Sequence, residues 1–205
     1  MIRPLTGIPA DRPQSYRSIE EAAIRFRKMI GIGPLDEFDA RTCFEVQLGD
    51  IELLDQGESI PMVEAVEDCP QEGMTRWDPE AERIEIVLSQ ERYDMLRDNH
   101  VRARSTVSHE IGHAILHTRQ IIRLAGLSLT SQVALHRERN PHKAFMDTEW
   151  QANAFGSALL MPAKGLWLVR QEQSSLTAKS IASMFRVSEE SASYRLNTYE
   201  KALWG

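Results

Sequence analysis

The sequence predicts an α+β fold, on three observations. Residues 51–89 shift towards period two, with Met62-Val-Glu-Ala-Val66 and Ile84-Glu-Ile-Val-Leu88 alternating or running apolar as strands do. A long helical pattern containing the pentapeptide HEIGH (residues 109–113) follows directly. The remaining periodic segments, before and after, repeat their apolar residues at helical spacing.

Taken in order, residues 1–17 hold three prolines and little periodicity, and read as an arm lying over the surface or a leader without order. Ser18 is expected to cap a first helix, with Glu20 and Glu21 complementing its dipole. Ile19, Ala22, Ala23, Phe26 and Ile30 form its apolar stripe, and Gly31-Ile-Gly-Pro34 stops it. A loop and a second short helix lead to Gln47. Turn residues at 69–73 and 77–80 leave a short strand near 74–77, so that a small antiparallel sheet is expected. A short helix over 90–96 precedes the HEIGH helix, expected over 101–118. Residues 119–146 read as a long excursion with one helical turn near 121–124. The next helix is expected from Thr148, with Thr148 and Gln151 at capping-box spacing, and Met161-Pro162 ends it. Residues 163–173 read as a connection to a final helix pair, 178–185 and 189–203, joined by Arg186-Val187-Ser188.

Composition narrows the function. With 42% hydrophobic and 26% charged residues the chain reads as an ordinary globular protein. The first nine residues lack an apolar stretch of signal-peptide length, and the most apolar region, 154–169, is broken by Pro162 and Lys164. No membrane span is therefore expected. Two cysteines, Cys43 and Cys69, cannot form a disulfide framework, which points to the cytoplasm. Residues 1–100 carry 11 Lys/Arg against 22 Asp/Glu, and residues 101–205 carry 13 against 8. That is not the basic footprint of a general nucleic-acid binder. It is compatible with a polarised surface that steers a charged protein partner, or with a plain solvated one.

HEIGH matches HExxH. On a helix, His109 and His113 share one face and can offer imidazole nitrogens to one zinc ion. Glu110 lies one step round, where its carboxylate can reach a water as general base. Catalytic zinc needs a third protein ligand. The extended motif HExxHxxGxxH is excluded, because Leu116 and Arg119 stand at its Gly and last His positions. His117 lies eight residues from His109, about 12 Å along the helix, and is expected to pack or to support a ligand. A carboxylate from the second helix is the other route: Glu149, with Asn153 one turn on as a possible hydrogen-bond partner of a ligating His. Asp147 is the rival, less well fixed because it precedes the helix.

These residues carry a resemblance. Arg104-Ser-Thr-Val-Ser-His-Glu-Ile-Gly-His-Ala-Ile-Leu-His117 and Glu149-Trp-Gln-Ala-Asn-Ala-Phe-Gly-Ser-Ala-Leu-Leu-Met-Pro162 resemble the two signature blocks of the ImmA/IrrE family of zinc metallo-endopeptidases. The resemblance covers residues 84–200 well and 18–83 loosely. It implies one Zn2+ held by His109, His113 and Glu149, with Glu110 as general base. It implies a zincin-like (thermolysin-like) helix pair on the small sheet, with helix-turn-helix-like helices near the C-terminus. The domains expected are an arm (1–17), a zinc-peptidase domain (18–162) and a C-terminal helical region (163–205). Family members often act on a repressor of the Xre or Cro/CI type, cleaving or inactivating it in stress-response or mobile-element switches. Two departures stand out: 35 residues separate His113 from Glu149, and Gly156 replaces a common Ala.

The expected function is hydrolysis of a peptide bond within a partner repressor. The oxyanion donor is open among His136, His142, Tyr93 and the arginines of the excursion. One alternative is a binding module that captures a repressor without cutting it. Another is a DNA-binding regulator using residues 181–196, disfavoured because Glu189 and Glu190 open its second helix where phosphates would be met.

Overall fold

The structure is a computed structural model that describes residues 7–55, 57–127, 143–172 and 176–200. It is a mixed α+β fold. Helix α1 (Tyr16–Met29) begins earlier than expected. Its cap is Ser15, and Ser18 sits three residues in, completing a reciprocal capping box that satisfies two free N–H groups at once. Buried Ile19, Ala22, Ala23 and Phe26 form its inner stripe, and Gly31, at φ 75°, turns the chain away. A three-residue helix, α2 (Ala40–Thr42), is capped by Asp39 and runs on through a π turn (Cys43–Gln47) and a 3-10 turn (Leu48–Asp50).

Four strands follow: β1 (Glu52–Asp55), β2 (Glu58–Glu67), β3 (Gly73–Asp78) and β4 (Arg83–Ser89). Their order is β1-β2-β4-β3. The sheet is mixed, not wholly antiparallel as expected, because β4 inserts between β2 and β3 and pairs parallel to β2, Met62 opposite Ile84. The reason lies in composition. Ile84, Ile86, Val87 and Leu88 are fully buried, so this strand takes the centre, as continuous apolar strands do. The more polar β3 is left on the edge.

Helix α3 (Gln90–Arg97) leads into α4 (Val101–Leu127), nine residues longer than expected. Part of the expected excursion is therefore helix: Gln120 and Ile121 are buried on α4 and continue its inner face. Residues 128–142 lie outside the described residues. After a 3-10 turn (Ala144–Met146), α5 (Thr148–Leu160) packs against both α4 and α1. Its cap is Asp147 and not Thr148, since the Asp147 carboxylate accepts the Trp150 N–H at 2.7 Å. The expected connection over 163–173 contains a further helix, α6 (Ala163–Glu172), whose buried face is Gly165, Leu166 and Val169. The chain then forms α7 (Ala178–Phe185), a turn with Arg186 in the left-handed conformation, and α8 (Glu189–Thr198).

One apolar core joins these parts, from Ile19 and Phe26 through Met62 and Ile86 to Val107, Ile111, Phe155, Leu159, Ile181 and Phe185. Three arginines at most 3% exposed pin its margins. Arg27 donates to the carbonyls of Leu159 and Asp36, Arg104 to those of Phe38 and Arg186, and Arg195 to that of Met161. Among the described residues, no helix is long and apolar enough to cross a membrane.

Candidate metal centre

Helices α4 and α5 approach closely where the functional residues sit. A Cβ on Gly112 would stand 3.0 Å from the Ala152 carbonyl oxygen, and one on Gly156 would stand 3.2 Å from the His109 amide nitrogen. Each glycine thus lets the other helix come near. The Gly156 departure noted in the sequence belongs to this contact.

The approach brings three expected ligands together. His109 Nε2 and His113 Nε2 lie 3.0 Å apart, one Glu149 oxygen lies 3.1 Å from His109 Nε2, and the other lies 3.2 Å from His113 Nε2. This group could hold a metal ion. Two imidazoles and a carboxylate suit zinc, and donors about 2.0–2.1 Å from a tetrahedral ion stand about 3.3 Å from one another. The donor spacing matches that within a few tenths of an ångström.

Electrostatics favour a cation here. Burial opposes the charged form of His109, but Glu149, Glu110 and Asn153 together outweigh it and raise its pKa. Burial also opposes the charge on Glu149, yet the His109 and His113 rings that face it hold its carboxyl well below the usual range. Glu149 is therefore an anion at neutral pH. Asn153, one turn above Glu149, donates its amide to the Glu149 carbonyl at 2.7 Å and is among the neighbours that favour the charged form of His109.

Asp147 is engaged elsewhere. Besides capping α5, it accepts the Gly7 N–H at 3.0 Å. From Gly7 on, the segment expected to be an arm over the surface or a leader without order is stitched along this helix start. Thr148 N–H donates to the Ile8 carbonyl, Ala10 N–H to that of Met146, and Gln14 N–H to that of Phe145.

Glu110 is 6% exposed and faces the edge strand. Its carboxylate lies 2.8 Å from the Thr75 hydroxyl. Nothing in a short strand marks one threonine for this role, and sequence reasoning missed it. Gln151 was taken only as a capping-box member, whereas its side chain bonds His117 and two carbonyls. His117 touches His113 Nδ1 at 3.1 Å, on the side of the ring away from the donor cluster. Burial, then the neighbouring His113, lowers its pKa to about 3, so it is neutral at ordinary pH.

Of the open oxyanion donors, Tyr93 is turned away, donating to Glu45 at 3.0 Å. Arg123 pairs with Asp11 at 2.7 Å. His136, His142, Arg137 and Arg139 lie outside the described residues.

Comparison with known proteins bears on the family and the fold. Residues 96–197 match the model of the family described as Peptidase_M78, IrrE N-terminal-like domain. No curated protein matches the sequence. Among solved structures, a Mycobacterium tuberculosis transcriptional regulator is similar at TM-score 0.51 and 14% identity. The similarity covers 91% of this chain and 57% of that one, so the chain spans a little over half the length of that regulator. At this identity the likeness is one of fold.

Proposed function

We infer that this chain, which belongs to the ImmA/IrrE family through its IrrE N-terminal-like domain, is a zinc-dependent endopeptidase that acts in the cytoplasm on a partner repressor of the Xre or Cro/CI type. The observation that carries the reading is the convergence of His109, His113 and Glu149 with Glu110 beside them, the general base next to the ligand set. When bound, zinc supplies Lewis acidity, lowering the pKa of a water and polarising a peptide carbonyl.

The chain's own residues supply the rest. Glu110 takes a proton from the attacking water and returns it to the leaving amine, and Thr75 holds its carboxylate in place. Asn153, bonded to the Glu149 carbonyl, is among the neighbours that favour the charged form of His109. Strand β3 is the edge of the sheet and carries Thr75, so its outer side is suited to pair with an extended peptide running past Glu110.

A protein target fits better than DNA. Helix α8 opens with exposed Glu189 and Glu190, and its Arg195 is 2% exposed and paired with Glu20 at 2.5 Å, so it is withdrawn from any phosphate. The likeness in fold to a transcriptional regulator is in keeping with a regulatory role.

The test is to mix the purified protein, with zinc or with chelator, with a helix-turn-helix repressor encoded beside it. Fragments formed with zinc and absent with chelator support the endopeptidase. A stable complex without fragments supports the non-cleaving binding module instead. Binding of neither repressor nor zinc overturns the reading.

A further inference from the structure

His117 is 3% exposed and lies between the donor cluster and the N-terminal arm. Its Nδ1 is 3.1 Å from His113 Nδ1, and its Nε2 is 2.9 Å from Gln151 Oε1. Gln151 is itself anchored, its amide nitrogen donating to the carbonyls of Arg12 at 2.9 Å and Phe145 at 2.8 Å. The opposite amide orientation would set oxygen against two carbonyl oxygens, so Gln151 presents Oε1 to His117. An amide oxygen only accepts. The proton between it and His117 therefore sits on His117 Nε2, and Nδ1 of that neutral ring is an acceptor. It follows that the proton between the two histidines sits on His113 Nδ1. On the neutral His113 ring this leaves the lone pair on Nε2, the nitrogen that faces His109 and Glu149.

We propose that His117 and Gln151 form a positioning relay, running from the Arg12 and Phe145 carbonyls to His113, that locks the His113 ring in the tautomer whose Nε2 lone pair faces the metal position. The relay rests on the metal-site reading for its purpose but not for its geometry. It gives the N-terminal arm a share in the site, since Arg12 supplies one of the two carbonyls that orient Gln151. Hydrogen-bond partners behind ligating histidines typically change metal affinity about 10–100-fold when removed.

The experiment has two readouts on the full chain. Long-range proton–nitrogen NMR on the metal-free protein reports which nitrogen of His113 carries the proton, and zinc titration against a competing chelator reports affinity. The wild type should show His113 protonated on Nδ1. His117→Leu, which removes the acceptor, should lose that single tautomer and bind zinc about tenfold or more weakly. His117→Asn, whose amide oxygen can stand near the former Nδ1, should restore both. If His117→Leu does not fold, Gln151→Met carries the test, because it frees the His117 proton to move and should give His113 a mixture of tautomers. A wild type with His113 protonated on Nε2 and not on Nδ1, or a folded His117→Leu or Gln151→Met protein with His113 unchanged, overturns the relay. A wild type with the Nδ1 proton that binds no zinc leaves the relay standing and sinks the metal reading instead.

Discussion

The Thr75 hydroxyl lies 2.8 Å from the Glu110 carboxylate and 2.9 Å from the Glu110 backbone carbonyl, so the edge strand and helix α4 meet at the proposed base. One residue of the strand thereby sets both the height of the strand against the helix and the direction of the carboxylate. The strand proposed to bind substrate is the same one that aims the base.

Thr75→Val keeps the shape of the side chain and deletes the donor. A hydrogen bond to a charged group contributes about 1.5–3 kcal/mol, and cleavage should slow by about tenfold or more. Thr75→Ser should retain most of the rate. Metal analysis of both proteins should give wild-type zinc, since neither change touches a ligand; a Thr75→Val protein as fast as wild type would show that Glu110 needs no such support.

Glu149 and Asp147 lie two residues apart in sequence yet have different tasks in the structure. Glu149→Ala should lower zinc content and, with it, thermal stability in the presence of zinc, because a bound ion stabilises the folded state by mass action. Asp147→Ala removes a helix cap and should cost about 1 kcal/mol, with zinc content near wild type. The reverse order in metal content would move the carboxylate ligand to Asp147.

The convergence of His109, His113 and Glu149 was legible in sequence because each part obeys a local rule. His109 and His113 are four apart on one helix, and Glu149 and Asn153 are four apart on another. The α4 helix was extended past its expected end by Gln120 and Ile121, whose burial depends on neighbours that periodicity alone does not reveal. The sheet's order was not legible either, since hairpin spacing around 77–80 says that β3 and β4 pair but not that β4 also pairs with β2. Ser15 and Asp147 were missed as caps because other capping residues, Ser18 and Thr148, stand close behind them. Thr75 and Gln151 act across 35 and 34 residues of sequence, so no local pattern marks them.

The C-terminal helices are fastened to the core by charge. Arg195 reaches Glu20 at 2.5 Å and the Met161 carbonyl at 2.8 Å, while Glu20 also accepts the Ala163 N–H. Arg195→Ala would leave Glu20 buried and unmatched, with an expected loss of about 3–5 kcal/mol in chemical denaturation. Loss below about 1 kcal/mol would show that the pair is solvated. Because Arg195 is structural, a gel shift lost in that variant would say nothing of DNA contact. Arg186→Ala, which removes an exposed side chain, is the sounder probe, and the wild type should give no salt-sensitive shift for it to abolish.

The most direct measurement is zinc content and repressor cleavage taken together on Glu110→Gln. The substitution removes the base and leaves His109, His113 and Glu149 in place. One zinc per chain with cleavage reduced by about 10²–10⁴ is the expected result, the range over which a positioned general base contributes. Cleavage at the wild-type rate by the zinc-loaded Glu110→Gln protein would contradict it.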